Sequence, residues 1–296
     1  MGETMNDIYD IAIIGGGPAG LSAALTARIR GKTVALFEHL DFSRKLQRAH
    51  DVDNYLGMPH RTGTDIMREM ADHALAHEPD VIREKVISVF PGKKNFTIAC
   101  KEEMYTARTV ILATGVTSGA LFEGEKDLLG KGVSYCATCD GMFFRGKTVA
   151  VISYGKEGEA DAAYLANLCK EVYYLPQYRD EMNLRADNII VENVMPRRIE
   201  GENKTEKLIT SKGEMNVDGV FIIRESDPVE NLVRGLSLDG THIAVDRQMR
   251  TNINGLYACG DCTGKPYQVS KAVGEGLVAA LSAVEYLHEQ ESTAEA

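Results

Sequence analysis

The sequence predicts an α/β fold of two three-layer units, the second inserted in the first. Two observations carry this. A strand, a glycine-bearing turn, a helix and a second strand occur in that order at 11–38 and again at 149–175. The short motifs that belong with the first copy, ATG at 113–115 and GD at 260–261, lie on either side of the second copy.

The elements follow in order. IAIIGGGPAGLSAALTA at 11–27 is a β-branched run, a glycine turn and an alanine-rich helix, and TVALFE at 33–38 is the next strand. A helical stretch near 64–77 precedes short alternating strands from 81 to 112, and ARTVILATG at 107–115 is a buried strand entering a turn. VAVISYGKEGEADAAYLA and EVYYL repeat the opening pattern from 149. Short strands follow over 189–223, then GLYACGD at 255–261 and a final helix over 268–288. The polar end, HEQESTAEA, is expected to fray. Motif order therefore assigns 1–115 with 246–296 to one domain and 116–245 to the inserted one.

Composition narrows the function classes. The 296 residues carry 33 basic and 43 acidic side chains, a net charge of −10. A chain this acidic is a poor general partner for nucleic acid or an anionic membrane. No apolar run reaches the roughly 18 residues a bilayer requires, and the acidic N-terminus is no signal peptide. The expected location is the cytoplasm. Six cysteines in a chain of this length do not form a secreted disulfide framework. Four fall in two C-x-x-C pairs, Cys136/Cys139 and Cys259/Cys262.

Gly15, Gly17 and Gly20, with Pro18 and Ala19 between them, form a G-x-G-x-x-G turn between strand and helix. Gly15 permits the tight turn, Gly17 lets the backbone approach a pyrophosphate, and Gly20 lets helix and strand pack closely. The helix N-terminus supplies donors and positive dipole to the anion. Glu38 ends the next strand, where a carboxylate meets a ribose hydroxyl. This is a Rossmann-like dinucleotide site.

Cys136-Ala137-Thr138-Cys139-Asp140 places two sulfurs within reach of one small disulfide ring. Disulfide exchange needs a thiolate and a proton that comes and goes, and Asp140 is placed to handle that proton. A zinc half-site or buried free thiols are the alternatives at this stage, with Cys259/Cys262 formally the matching zinc pair. Those two read as small apolar fillers or a second redox pair. Cys100 and Cys169 read as core. His73 and His77 stand one helical turn apart without a third ligand.

GGGPAG, ATG, SYCATCDG and ACGD in this order resemble the low-molecular-weight thioredoxin reductases over nearly the whole chain. The resemblance implies that FAD fills the first site, bound also by Ala113, Thr114, Gly115 and Gly260, with Asp261 on the ribityl chain. It implies that Asn54 and Gln268 lie beside the flavin. It implies that Cys139 faces the flavin while Cys136 attacks the disulfide of thioredoxin. It also implies a homodimer.

The second turn departs from that pattern. Ser153 replaces the first glycine, and Glu157 and Glu159 enter the first helical turn, where carboxylates oppose a pyrophosphate. The following strand ends in Pro176-Gln177-Tyr178, where the NADPH enzymes of the family carry a His-Arg-Arg run; only Arg179 and Arg185 stand nearby. The chain resembles in this the ferredoxin-dependent flavin thioredoxin reductases, which keep FAD and CATC without the NADPH motifs. Reduced ferredoxin is the donor this implies. The alternatives are an NADPH enzyme with divergent motifs, or a related flavin disulfide reductase or thiol oxidase with another donor or acceptor. Ferredoxins are generally acidic, so docking on this acidic chain needs a local positive patch, and Arg44, Lys45 and Arg48 are the densest candidate.

Overall fold

A computed structural model describes residues 8–39, 42, 44–47, 49–116, 122–179, 181–224 and 229–294. The chain opens with β1 (Tyr9–Ile14), α1 (Pro18–Ile29), β2 (Val34–Phe37), α2 (Arg44–Gln47), α3 (Gly63–Leu75), β3 (Asp80–Ile82), β4 (Val86–Pro91), β5 (Phe96–Cys100) and β6 (Met104–Leu112). It continues through β7 (Val133–Ser134), α4 (Ala137–Asp140), β8 (Thr148–Ser153), α5 (Glu157–Ala166) and β9 (Glu171–Pro176). Then come β10 (Ile189–Val191), β11 (Pro196–Glu200), β12 (Lys207–Thr210), β13 (Gly213–Asn216) and β14 (Gly219–Ile223). It closes with α6 (Val229–Leu232), β15 (Leu238–Asp239), β16 (His242–Ile243), β17 (Leu256–Ala258) and α7 (Val269–Ala294). Two compact units result: Met1–Val116 with Pro228–Ala296, and Thr117–Asp227.

In the first unit β3, β2, β1 and β6 run parallel in that order. On the side away from β1, β6 is shared between two partners: its first half pairs antiparallel with β5, Phe96 opposite Ala107, and its end pairs parallel with β17, Leu256 opposite Val110. Strand alternation divides the core. Ile11, Ile13 and Leu36 pack with Ala23, Ala27, Met67, Ala279 and Ala283 from α1, α3 and α7. Ala12, Ile14 and Phe37 pack with Val89 and Ile98 on the opposite face. The helices α1 and α7 cross closely because they meet at small residues: a Cβ on Gly276 would lie 2.2 Å from the carbonyl oxygen of Ala19.

The second unit has a parallel sheet in the order β10-β9-β8-β14-β7 and an antiparallel sheet of β11, β12 and β13. Val149 and Val151 face Ala137, Ala162 and Leu165, which come from α4 and α5. Ala150 and Ile152 face Ile199 and Leu208 of the antiparallel layer.

Two expectations are corrected. The return crossing lies at 228 rather than 245, because Val229, Leu232, Val233 and Ile243 belong to the core of the first unit. Motif order did not register this stretch, which carries no motif. The last helix also runs on to Ala294 instead of fraying after 288. Ser292 and Thr293 hydroxyls donate to the carbonyls of His288 and Glu289, and Arg108 pairs with Glu291 at 2.6 Å.

Candidate functional site

The first glycine turn is shaped by close backbone approach. Gly15 has φ +106°, and a Cβ there would lie 2.4 Å from the carbonyl oxygen of Ala113. A Cβ on Gly20 would lie 1.8 Å from the carbonyl oxygen of Gly15, so helix and turn are pressed together. Gly17 is the N-cap of α1 and offers no side-chain bond, Pro18 opens the helix, and its first turn holds no acidic residue. The positive end of this helix is therefore left for an external anion. Glu38 is buried at the end of β2, and its Oε2 accepts the Gly16 N–H at 2.7 Å.

The late motif closes on the same turn. Gly260 has φ +85°, and a Cβ there would lie 2.8 Å from the Ala19 Cβ. Asp261 is half-buried in the short turn of 260–263. Lys271 and Glu275, which sequence reasoning missed, staple this turn to α7. Lys271 Nζ donates to the carbonyls of Gly260 at 2.7 Å and Gly264 at 2.8 Å, and to Thr263 Oγ1 at 2.9 Å. Glu275 Oε2 accepts the Gly260 N–H at 2.9 Å and the Thr263 hydroxyl at 2.8 Å, and lies 3.1 Å from Lys271 Nζ. The only advance signal was a Lys–Glu pair at helical spacing just after the GD motif. Asn54 and Gln268, 214 positions apart, meet directly: Asn54 Nδ2 donates to Gln268 Oε1 at 2.8 Å. Thr114 is half-buried after β6, and Gly115 turns the chain with φ +70°.

In the second unit Cys136 and Cys139 form a disulfide, S–S 2.03 Å. Cys136 is the N-cap of α4, and its Sγ accepts the Cys139 N–H at 3.2 Å. Ser134, also missed in the sequence, is buried beneath them. Its hydroxyl lies 2.6 Å from Asp140 Oδ2 and accepts the Cys136 N–H at 3.1 Å. One hydroxyl thus joins the carboxylate to the backbone of the first cysteine. Met142 and Phe143, just beyond, are 54% and 73% exposed, an apolar surface next to the disulfide.

The other four cysteines are buried free thiols. Cys259 and Cys262 are free and buried, and the Cys262 thiol donates to the Cys259 carbonyl at 3.2 Å. Burial pushes Cys259 well above the ordinary thiol range and Cys262 to about 11. Each packs in a face of the core as an apolar filler. Cys100 and Cys169 are likewise buried. His73 and His77 lie with rings 5.9 Å apart, and no three-group metal cluster occurs among the described residues.

The second glycine turn is closed by its own side chains. Ser153 Oγ donates to the Gly155 carbonyl at 2.6 Å, and a Cβ on Gly158 would lie 2.1 Å from Ser153 Oγ. Both oxygens of Glu159 are engaged, Oε1 by the Tyr178 hydroxyl at 2.7 Å and Oε2 by the Asn183 N–H at 2.9 Å. The Tyr174 and Tyr178 hydroxyls lie 2.9 Å apart. Burial, with the Tyr174 and Glu159 hydrogen bonds, holds the Tyr178 phenol protonated. Gln177 Nε2 donates back to the Val194 carbonyl at 3.1 Å. The side chain of Glu157 lies outside the described ones.

A second cluster in this unit had no sequence signal, its partners being 99 positions apart. Arg224 and Glu125 are 1% and 0% exposed. They form a bidentate pair, NH1 to Oε1 at 2.7 Å and NH2 to Oε2 at 2.9 Å. Glu125 also accepts the Tyr135 hydroxyl at 2.7 Å and the Phe122 N–H at 2.9 Å. The guanidinium lies 5.6, 6.0 and 5.5 Å from the ring centroids of Phe122, Tyr135 and Tyr154. Burial disfavours the Arg224 charge, and the hydrogen bond and charge of Glu125 more than restore it.

A dinucleotide cradle in one unit and a disulfide with an attached carboxylate in the other define a flavin-linked disulfide oxidoreductase. The family model "Pyridine nucleotide-disulphide oxidoreductase" matches residues 9–276, and the chain belongs to that family. A solved ferredoxin-flavin thioredoxin reductase from Clostridium acetobutylicum is similar at 45% identity and TM-score 0.90, covering 96% of this chain and 99% of that one. Thioredoxin reductases of Mycoplasma genitalium and Bacillus subtilis are 33% and 31% identical; they cover 93% and 97% of this chain and 94% and 97% of their own. The chain is thus a flavoprotein of the thioredoxin reductase group, with FAD as its cofactor. The glycine cradle, uncapped helix end and buried Glu38 fit the pyrophosphate and ribose of that group.

Proposed function

We propose that the protein reduces the disulfide of thioredoxin through FAD and Cys136/Cys139, with reduced ferredoxin as electron donor. The observation that carries the donor assignment is the second glycine turn. Its first-turn carboxylate Glu159 is spent on Tyr178 and the Asn183 N–H, its serine hydroxyl is spent on the Gly155 carbonyl, and no arginine run follows the strand. These residues do not fit the phosphates of a pyridine nucleotide. The 45% identity to a ferredoxin-linked relative supports the same reading.

When bound, FAD accepts electrons singly and delivers them in pairs to a disulfide. A low-potential ferredoxin near −400 mV and thioredoxin near −270 mV leave roughly 6 kcal/mol for two electrons. The chain's own residues then act in two steps. The Cys136 thiolate attacks one sulfur of the thioredoxin disulfide and releases the other as a thiolate that takes up a proton. The Cys139 thiolate attacks Cys136 Sγ, freeing the second thioredoxin thiolate and re-forming the Cys136–Cys139 bond. Asp140, held by Ser134, moves the protons. Met142 and Phe143 supply apolar area for the partner. The resemblance also carries a homodimer and a cytoplasmic setting into this reading. No helix among the described residues is long and apolar enough to cross a membrane.

The test is anaerobic absorbance of the flavin with each donor in turn. Reduced ferredoxin should bleach it within catalytic times, while NADPH and NADH at millimolar concentration should not. Rapid bleaching by micromolar NADPH would make the chain an NADPH enzyme with divergent motifs. Turnover with dithiols and oxygen alone would make it a thiol oxidase.

A further inference from the structure

Three adjacent parallel strands of the second unit each deliver one residue of the buried cluster just past their carboxyl ends. Tyr154 follows β8, Arg224 follows β14 and Tyr135 follows β7. In an open parallel sheet this end is where a ligand is held. Here it holds a guanidinium, bound through its two terminal nitrogens by Glu125 and flanked by Phe122, Tyr135 and Tyr154.

Stability alone is a weak reason for two charges in such a place. Well-packed apolar residues of similar volume are often as stable as a buried ion pair or more so. What apolar residues cannot reproduce is the hydrogen bond from Tyr135 to Glu125, 2.7 Å long. Tyr135 is the residue before Cys136. On its other side Ser134 is tied to Asp140 and to the Cys136 N–H. The backbone entering the disulfide is therefore gripped at two successive residues, by Ser134 from the site itself and by Tyr135 from the buried pair.

We propose that Glu125 and Arg224 are positioning residues for the Cys136/Cys139 couple, acting through the Tyr135 hydroxyl. Arg224 fixes the carboxylate, the carboxylate fixes the phenol, and the phenol fixes the backbone from which Cys136 projects. The function of this grip is to keep the two sulfurs at high effective concentration, which favours the disulfide over the dithiol. Loosening it makes the couple easier to reduce, so its potential becomes less negative. The inference rests on the reading of Cys136/Cys139 as the redox pair.

The experiment uses the FAD-loaded full chain, equilibrated with mixtures of reduced and oxidised glutathione and quenched by alkylation for mass spectrometry. Two glutathione thiols supply the two electrons and two protons that convert the disulfide to the dithiol. Tyr135→Phe removes only the hydroxyl. The double variant Glu125→Met, Arg224→Met removes both charges at similar volume. Each should lower the ratio of disulfide to dithiol about threefold, a shift of about 14 mV at 29.6 mV per tenfold. Adding Tyr135→Phe to the double variant should shift it no further, because both act on one bond. Thermal stability should not follow the same order. Wild-type potentials in folded Tyr135→Phe would overturn the proposal, and that variant decides alone if the double variant fails to fold. Cys136→Ser separates the underlying reading: if it still reduces thioredoxin, the redox assignment fails, whatever the potentials show.

Discussion

Cys136 and Cys139 differ in what holds them: the first is half-buried, caps α4, accepts the Cys139 N–H on its sulfur and donates its own N–H to Ser134, while the second is exposed. Their proposed division of labour is read by trapping. Cys139→Ser should form a stable adduct with a single-cysteine thioredoxin whose thiol is activated by an aromatic disulfide, and Cys136→Ser should form far less. The opposite yields would reverse the two roles. The buried thiols make a separate prediction. Burial raises Cys169 and Cys262 from the ordinary 9.0 to about 11, and Cys100 to about 12 with help from Glu84 and Glu103. The unfolded chain thus loses these protons from about pH 9, while the folded chain keeps them. Their stabilising contribution is complete below pH 9 and is lost as pH rises through 11 to 12. Urea midpoints should fall between pH 9 and 11, by on the order of 1 kcal/mol per thiol per unit. A flat profile there would mean the thiols titrate freely.

At the scale of the element, the final helix does more than cover the sheet. Lys271 and Glu275, one turn apart on α7, hold the Gly260–Thr263 turn through both its carbonyls and its N–H. Lys271→Met removes several charge-assisted bonds at once and should weaken FAD binding by apoprotein tenfold to a hundredfold, with Lys271→Arg restoring part of it. Unchanged flavin affinity would remove the staple from the cofactor site. This staple also marks the limit of reading by motif. The glycine turns, the CATCD segment and the alternating strands are legible because their chemistry depends on neighbours a few residues away. The Lys271 contacts, the Glu125–Arg224 pair and the joining of Asn54 to Gln268 depend on which distant segments the fold brings together. The stretch 229–245 was misplaced for the same reason, since only its packing against β4 and β5 assigns it.

For the molecule as a whole, the net charge of −10 sets the terms of any encounter with an acidic electron carrier. Arg44, Lys45 and Arg48, the patch the sequence nominates, have side chains outside the described ones, and the nomination is kept as a test. Reversing all three charges should slow ferredoxin-driven turnover through association, with the deficit shrinking as salt rises. Flavin content and thioredoxin kinetics should stay level. Unaltered ferredoxin kinetics at low ionic strength would reject the patch.

The division of labour along β6 has a consequence for how the chain is made. Its C-terminal half, paired on one edge with β1, waits for β17 on the other, and α1 waits for α7, yet both partners lie beyond the inserted unit in sequence. A ribosome delivers the disulfide-bearing unit whole before it delivers either. Through that interval the nascent first unit has Ala19, Ala23 and Ala27 without their α7 covering, which is the kind of exposed apolar surface that chaperones recognise. The Gly260–Thr263 turn and its α7 staple are accordingly the last parts of the cradle to be made. A chain ending before residue 250 should keep Cys136, Cys139 and the first glycine turn but lack the Gly260–Thr263 turn and α7, and should hold FAD far more weakly than the whole chain.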